Sequence, residues 1–229
     1  LNSPMFAFTL DTSDGLRAVS WENRLTGRKL SLGNGTEVEF DIGLPGQPLT
    51  TPKLRVVKRP AVSTGASGEA VFELAADNPE LAATVTYRWD AKQPVLRKFV
   101  TIANRSRQEW NRLLNVRLGS YSTDAKAEVP DPEYPVFLET RVDDPAGKTR
   151  GFPAYVEWQF FAGLAHPAGF ATWQDRELSL RQLPGVQLAP GASFECMEAV
   201  YGVSRDGQSR QAFRDHVQSR MRRVLCGHD

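Results

Sequence analysis

The chain has 229 residues, 41% hydrophobic and 24% charged, enough apolar side chains for a sizeable core and too many for a disordered segment. Lys and Arg (28) nearly balance Asp and Glu (27), so no strong field favours a nucleic-acid partner, and two cysteines, Cys196 and Cys226, are too few for a metal knuckle or a disulfide scaffold. No apolar stretch approaches the roughly 20 residues of a membrane helix, so no membrane partner is expected.

The first two hundred residues read as strands separated by turns. In "AVSWENRLTGRKLSL" apolar runs flank Thr26-Gly27, and Asn34-Gly35 in "SLGNGTEVEFDIGL" predicts a tight hairpin, because that pair accepts positive φ. Val38, Phe40 and Ile42 then alternate with Glu37, Glu39 and Asp41, which predicts a strand with its acids on a wet face. In "LAATVTYRWD" Ala83, Val85, Tyr87 and Trp89 share a face opposite Thr84, Thr86 and Arg88; Leu96, Val100 and Ile102, then Leu114, Val116 and Leu118, continue the pattern. Strand follows strand with no helix between, which predicts antiparallel sheets in a sandwich.

Prolines and acids break the rhythm over 124–150 and predict a long loop, in which Asp131, Glu133, Asp143 and Asp144 are either a solvated acidic surface or hard-oxygen ligands for calcium. Strands resume with "AYVEWQFF", "FATW", "LSLRQL" and "FECMEAVYGV". In the first of these, alternation sets Tyr155, Glu157, Gln159 and Phe161 against Val156, Trp158 and Phe160, with Phe160 and Phe161 both buried on opposite sides of a central strand. From about Gln208, the spacing of Phe213, Val217, Met221 and Val224 predicts an amphipathic helix, with Gly227 as its stop and Arg220, Arg222 and Arg223 complementing its C-terminal dipole. The division is therefore a sandwich over 1–206 and a helical segment over 207–229.

Glycine-rich phosphate loops, His-Glu-x-x-His, Cys-x-x-Cys and Gly-x-Ser-x-Gly are all missing, which argues against nucleotide, zinc and nucleophilic-serine chemistry and implies no cofactor. A glycosidase's carboxylate pair leaves no short signature. Trp158 and Trp173 are core residues or platforms that stack on a sugar ring. His166, in the turn "AGLAHPAG", is a neutral imidazole bonded to backbone or a polar contact to a ligand, and Asp175 and Arg176 would be its neighbours in such a site. Cys196 reads as a small core residue, and Asn34 and Asn104 match the glycosylation sequon, a pattern short enough to arise by chance.

The succession "DGLRAVSWENRLTGRKLSL", "LRKFVTIANRS", "GFPAYVEWQFFAGLAHPAG", "LRQLPGVQLAPGASFECMEAVYGVSRDG" and "AFRDHVQSRMRRVL" resembles the N-terminal β-supersandwich domain of melibiase-type (α-galactosidase) glycoside hydrolases and their relatives. The marks are Asn23-x-x-Thr26-Gly27 after a tryptophan strand, Phe160-Phe161-x-Gly163 followed by Pro167, and Pro184-Gly185 paired with Pro190-Gly191. The resemblance implies the galactose-mutarotase-like fold, a connecting helix and then a (β/α)8 barrel that carries both catalytic carboxylates. No catalytic residue is then expected in this chain; its partners would be the barrel of the same polypeptide and carbohydrate. Two other readings stay open: an aldose epimerase of the same fold, and a purely structural or protein-binding module. The compartment is not set by the sequence, a secreted or periplasmic location included.

Overall fold

The structure, a computed structural model, describes residues 1–60, 65–77, 80–129 and 153–225. Its strands in chain order are β1 (Phe6–Asp11), β2 (Arg17–Asn23), β3 (Arg28–Thr36), β4 (Glu39–Gly43), β5 (Arg55–Lys58), β6 (Gly68–Asp77), β7 (Glu80–Trp89), β8 (Val95–Asn104), β9 (Trp110–Ser122), β10 (Ala127–Glu128), β11 (Ala154–Val156), β12 (Phe160–Leu164), β13 (Phe170–Gln174), β14 (Glu177–Gln182), β15 (Val186–Leu188), β16 (Ser193–Glu195) and β17 (Ala199–Val203). One helix, α1 (Ser209–Leu225), follows. The acids Asp131, Glu133, Asp143 and Asp144, and Gly227, lie outside the described residues.

The first sheet runs β1-β2-β3-β9-β14-β13, with β4 and β15 also on β9; the second runs β10-β11-β12-β17-β8-β7-β6-β5, with β16 on β8. Every pairing is antiparallel, and the two sheets close face to face into the sandwich that the alternation predicts. Strand β7 follows its pattern: Ala83, Val85, Tyr87 and Trp89 are buried while Thr84, Thr86 and Arg88 are not. Between the sheets Trp21 meets Phe160 edge-on at 4.8 Å and Phe8 meets Tyr201 at 5.5 Å, so aromatic side chains from both layers interlock at one end of the core. No helix among the described residues is long and apolar enough to cross a membrane.

Three sequence expectations change in the structure. Asn34-Gly35 does not close a hairpin; β3 passes through it with Gly33 and Asn34 at φ 60° and 55°, and the register with β2 shifts from Ser20↔Ser31 to Ala18↔Gly35, a bulge. Asn115 likewise sits at φ 44° inside β9, which changes the phase of the alternation so that Leu113, not Leu114, is in the core. Glu37 is not on a wet face: it falls in the link between β3 and β4 and is fully buried.

That burial is made tolerable by Lys98. Its ammonium crosses from β8 to donate to Glu37 Oε2 at 2.6 Å, to the Glu37 carbonyl and to the Leu118 carbonyl at 3.0 Å, with neither side chain exposed. The Tyr87 hydroxyl donates to the same carboxylate, and Tyr201, bonded to Leu118 O at 2.8 Å and Tyr121 at 2.7 Å, extends the network. Burial first, then the Glu37 charge, holds the Tyr87 phenol well above its usual range, while burial pulls the Lys98 ammonium down against the pull of Glu37. The network ties the two layers together by hydrogen bonds that no apolar core supplies.

Helix α1 lies on the outer face of the second sheet. Phe161, whose neighbour Phe160 points into the core, points outward and meets Phe213 at 5.5 Å, beside Tyr155, Val95 and Val200. Gly202 makes the room: a Cβ there would stand 2.0 Å from the Phe161 ring.

Candidate functional site

The run "AYVEWQFF" is not one strand. Val156 pairs with Phe160, and Glu157 and Trp158 close the turn between β11 and β12 at φ 49° and 57°, two consecutive non-glycine residues in the left-handed region. Trp158 therefore leaves the alternation and stands 41% exposed at a hairpin tip, while the expected burial of both Phe160 and Phe161 holds. Its indole lies parallel to Tyr155, 6° apart in plane and 6.4 Å between centroids, and the Arg210 guanidinium sits 4.9 Å from the Trp158 centroid and 5.7 Å from that of Tyr155.

The tip is held from below. Glu157 takes a bidentate pair from Arg28 at 2.6 and 2.8 Å, and these bonds hold its carboxyl below the usual range. Thr26 donates to the Gln159 side chain at 2.7 Å, and the buried Asn23 amide donates to the carbonyls of Gln159 and Ser204 at 3.2 and 2.7 Å. The Asn-x-x-Thr-Gly mark is thus an anchor for the Trp158 hairpin and for the chain entering α1.

Asp175 and Arg176 close the β13–β14 hairpin in the same left-handed geometry, at φ 51° and 64°. Arg176 bonds Asp124 at 2.9 Å and its carbonyl accepts from Thr123 N, while Lys126 O accepts from Glu157 N at 2.9 Å. The short segment from Thr123 to Lys126 therefore joins the two tips at one end of the molecule. Trp173 is half-buried against the core on the strand leading to the second tip. His166 is exposed in the turn after β12, at the opposite end from Trp158, and its Nδ1 accepts from Ala168 N at 3.1 Å. The structure thus brings Trp158, Asp175 and Arg176 to one end and leaves His166 apart from them.

Two features that the sequence reading did not find complete the picture. Glu198 accepts two bonds from Arg97, at 2.6 and 3.0 Å, and one from Arg220 of α1 at 2.6 Å; burial would raise its pKa, but these bonds outweigh it and the carboxyl sits below its usual range. His216, on the sheet-facing side of α1, is buried with Nε2 unpartnered, and burial, then the Arg220 charge, lowers its pKa. The second feature is the outer face of the first sheet. Opposed residues there form a row Glu39, Arg117, Arg181, Phe170 across β4, β9, β14 and β13, and beside it a row Thr36, Ser120, Ser179, Thr172. At its margin Arg17, Thr36, Glu39 and Lys53 rim a pocket of about 230 Å³ floored by Leu54 and Leu74.

Cys196 is half-buried against the core, where burial pushes its thiol up to about 12, so it is no thiolate nucleophile. The Asn104 amide is fully buried and donates to the carbonyls of Gln108 and Leu188, which leaves it closed to glycosylation in the folded state.

No protein-family model matches the sequence, and no curated protein matches it. Solved structures do match in fold. The GH36 α-galactosidase AgaA from Geobacillus stearothermophilus superposes on 90% of this chain with a TM-score of 0.59 at 12% identity, and the galactosidase domain of the α-galactosidase-sucrose kinase AgaSK with a TM-score of 0.58 at 10%. The chain spans 40% of the length of each of these two. A galactose mutarotase related enzyme from Lactobacillus acidophilus matches 90% of this chain over 97% of its own, with a TM-score of 0.53 at 10% identity. The fold is the galactose-mutarotase-like supersandwich.

Proposed function

We propose that the chain is the non-catalytic N-terminal supersandwich domain of a glycoside hydrolase, which supports the catalytic barrel of the same polypeptide and offers the Trp158 end to carbohydrate. The observation that carries this reading is the extent of the match, nearly all of this chain against 40% of the α-galactosidases. The fastening of α1 supports it: apolar contact through Phe213 and the Arg97–Glu198–Arg220 clamp would fix the direction in which a following domain leaves the sandwich. At the Trp158 tip an aromatic face can cover the C–H side of a pyranose, with Arg210 and the Arg28–Glu157 pair as neighbouring polar groups for its hydroxyls. Asp175 and Arg176 extend that end, Trp173 backs it, and His166 is left as a polar contact for the barrel.

One observation favours an aldose epimerase instead, the match over 97% of the mutarotase-related enzyme. That chemistry needs a histidine acid and a glutamate base at one site. Against it, His166 is bonded to backbone, and among the described residues no carboxylate is hydrogen-bonded to it.

Polarimetry and a binding titration separate the readings. The 229-residue protein is expected to bind galactosides weakly through Trp158 and to leave anomer interconversion at the buffer rate, while the polypeptide encoded with its downstream sequence cleaves an α-galactoside. Mutarotation by the chain itself would overturn the assignment. A folded chain without any galactoside binding would leave the purely structural module.

A further inference from the structure

We infer that the outer face of the first sheet carries an oxyanion site formed by Arg181, Ser179 and Arg117. Arg181 and Arg117 stand directly opposite one another on β14 and β9, a like-charge cross-strand pair that is unfavourable in an empty sheet. Only one acid shares their row: Glu39 is bonded to Arg117, and no ion pair to Arg181 exists among the described residues. The Arg181 Nε is shut off from solvent with no hydrogen-bond partner. Two residues away on the same face, the Ser179 hydroxyl is also buried and unpartnered, its residue 6% exposed. Buried donors are almost always satisfied, so two on the same face of one strand beside an unbalanced arginine pair mark a missing acceptor.

Sheet geometry explains why they converge. Leu178 and Leu180 are core residues, so Ser179 and Arg181 must share the outer face. A bulge in β9 between Arg117 and Ser120, where Gly119 takes φ 151°, brings both of those residues to the same side opposite them. The other nearby acid, Glu177, already accepts from Ser120 Oγ at 2.5 Å. The site thus presents one guanidinium fork, one hydroxyl and a second guanidinium paired with Glu39, a set suited to a small carboxylate or phosphate-type oxyanion rather than a neutral sugar. The inference is independent of the domain assignment above.

Calorimetric titration of the 229-residue protein in oxyanion-free, low-salt buffer tests it with three probes: galacturonate, galactose and inorganic phosphate. Saturable binding of either anion is expected, with galactose unable to compete for it. The tighter anion identifies the source of the ligand, a sugar acid or free phosphate. Arg181→Gln is expected to weaken binding about ten- to hundredfold and Ser179→Ala about three- to tenfold, the ranges for charged and neutral hydrogen bonds. Because Arg181 has no ion pair among the described residues, Arg181→Gln should melt at or above the wild-type temperature in anion-free buffer. The inference fails if neither anion binds, if both variants bind as wild type does, or if Arg181→Gln is destabilised in the absence of anion.

Discussion

Replacing Lys98 with Met removes the cation that joins the two sheets while keeping a long unbranched side chain in its place. Lys98 has no exposed side-chain surface and gives three hydrogen bonds, two of them to Glu37. Without it the Glu37 carboxylate, whose Oε1 already lacks a partner, keeps only the Tyr87 hydroxyl. Breaking a buried ion pair from one side costs about 3–5 kcal/mol. In a domain of this size each kcal/mol moves the melting temperature by about 2–4 °C, so Lys98→Met should melt roughly 6–20 °C lower. The double variant Lys98→Met/Glu37→Gln removes both charges and leaves an amide that Tyr87 can still bond; it should recover to within about 2 kcal/mol of wild type. Thermal and urea unfolding followed by far-ultraviolet circular dichroism measure both. A Lys98→Met protein melting within about 2 °C of wild type, or a double variant as unstable as the two singles added together, would refute the pin.

Trp158→Ala should abolish galactoside binding in a titration yet change stability by less than about 1 kcal/mol, because the residue is 41% exposed on a turn. Converting Glu157-Trp158 to Asn-Gly should raise the melting temperature by roughly 2–4 °C in calorimetry, since the relief of two non-glycine residues at positive φ outweighs the loss of a surface ion pair and of the half-exposed Trp158 contacts with Tyr155 and Arg210. Acid should loosen α1 before the core: burial holds the His216 imidazole below its usual value of 6.5, so its contribution is complete above that pH and is lost as pH falls through the lower folded value. Glu198, also depressed, acts with the same sign at lower pH. Hydrogen exchange corrected for intrinsic rates should show α1 amides losing protection as pH falls below 6.5 while those of β7 keep theirs.

Strand β7 and the two-sheet architecture were legible because their alternation is unbroken and each buried residue needs only its own neighbours to be placed. Leu114 and Trp158 fail because a period of two is continued through Asn115 and Glu157, where the backbone turns left-handed without a glycine to announce it, and Glu37 fails because the alternation of β4 is carried back into the link from β3. Lys98 has the parity of Leu96, Val100 and Ile102 in "LRKFVT", but what it bonds there is not legible, since its acceptors lie 61 and 20 positions away in sequence. The aromatic candidate Trp158 could be named from composition, but its stacking on Tyr155 and its arginine cover depend on the placement of α1. No sequence pattern shows that Arg117 stands opposite Arg181, because strand partners come from topology.

Glu157-Trp158 and Asp175-Arg176 share a further consequence. Each pair holds bulky side chains on a backbone that has few alternatives once the hairpin has closed, and each is tied down by an arginine bond to a neighbouring segment. Whatever meets this end of the sandwich encounters groups already aimed, so association forfeits little freedom, and selectivity for shape follows from rigidity rather than from the number of contacts made.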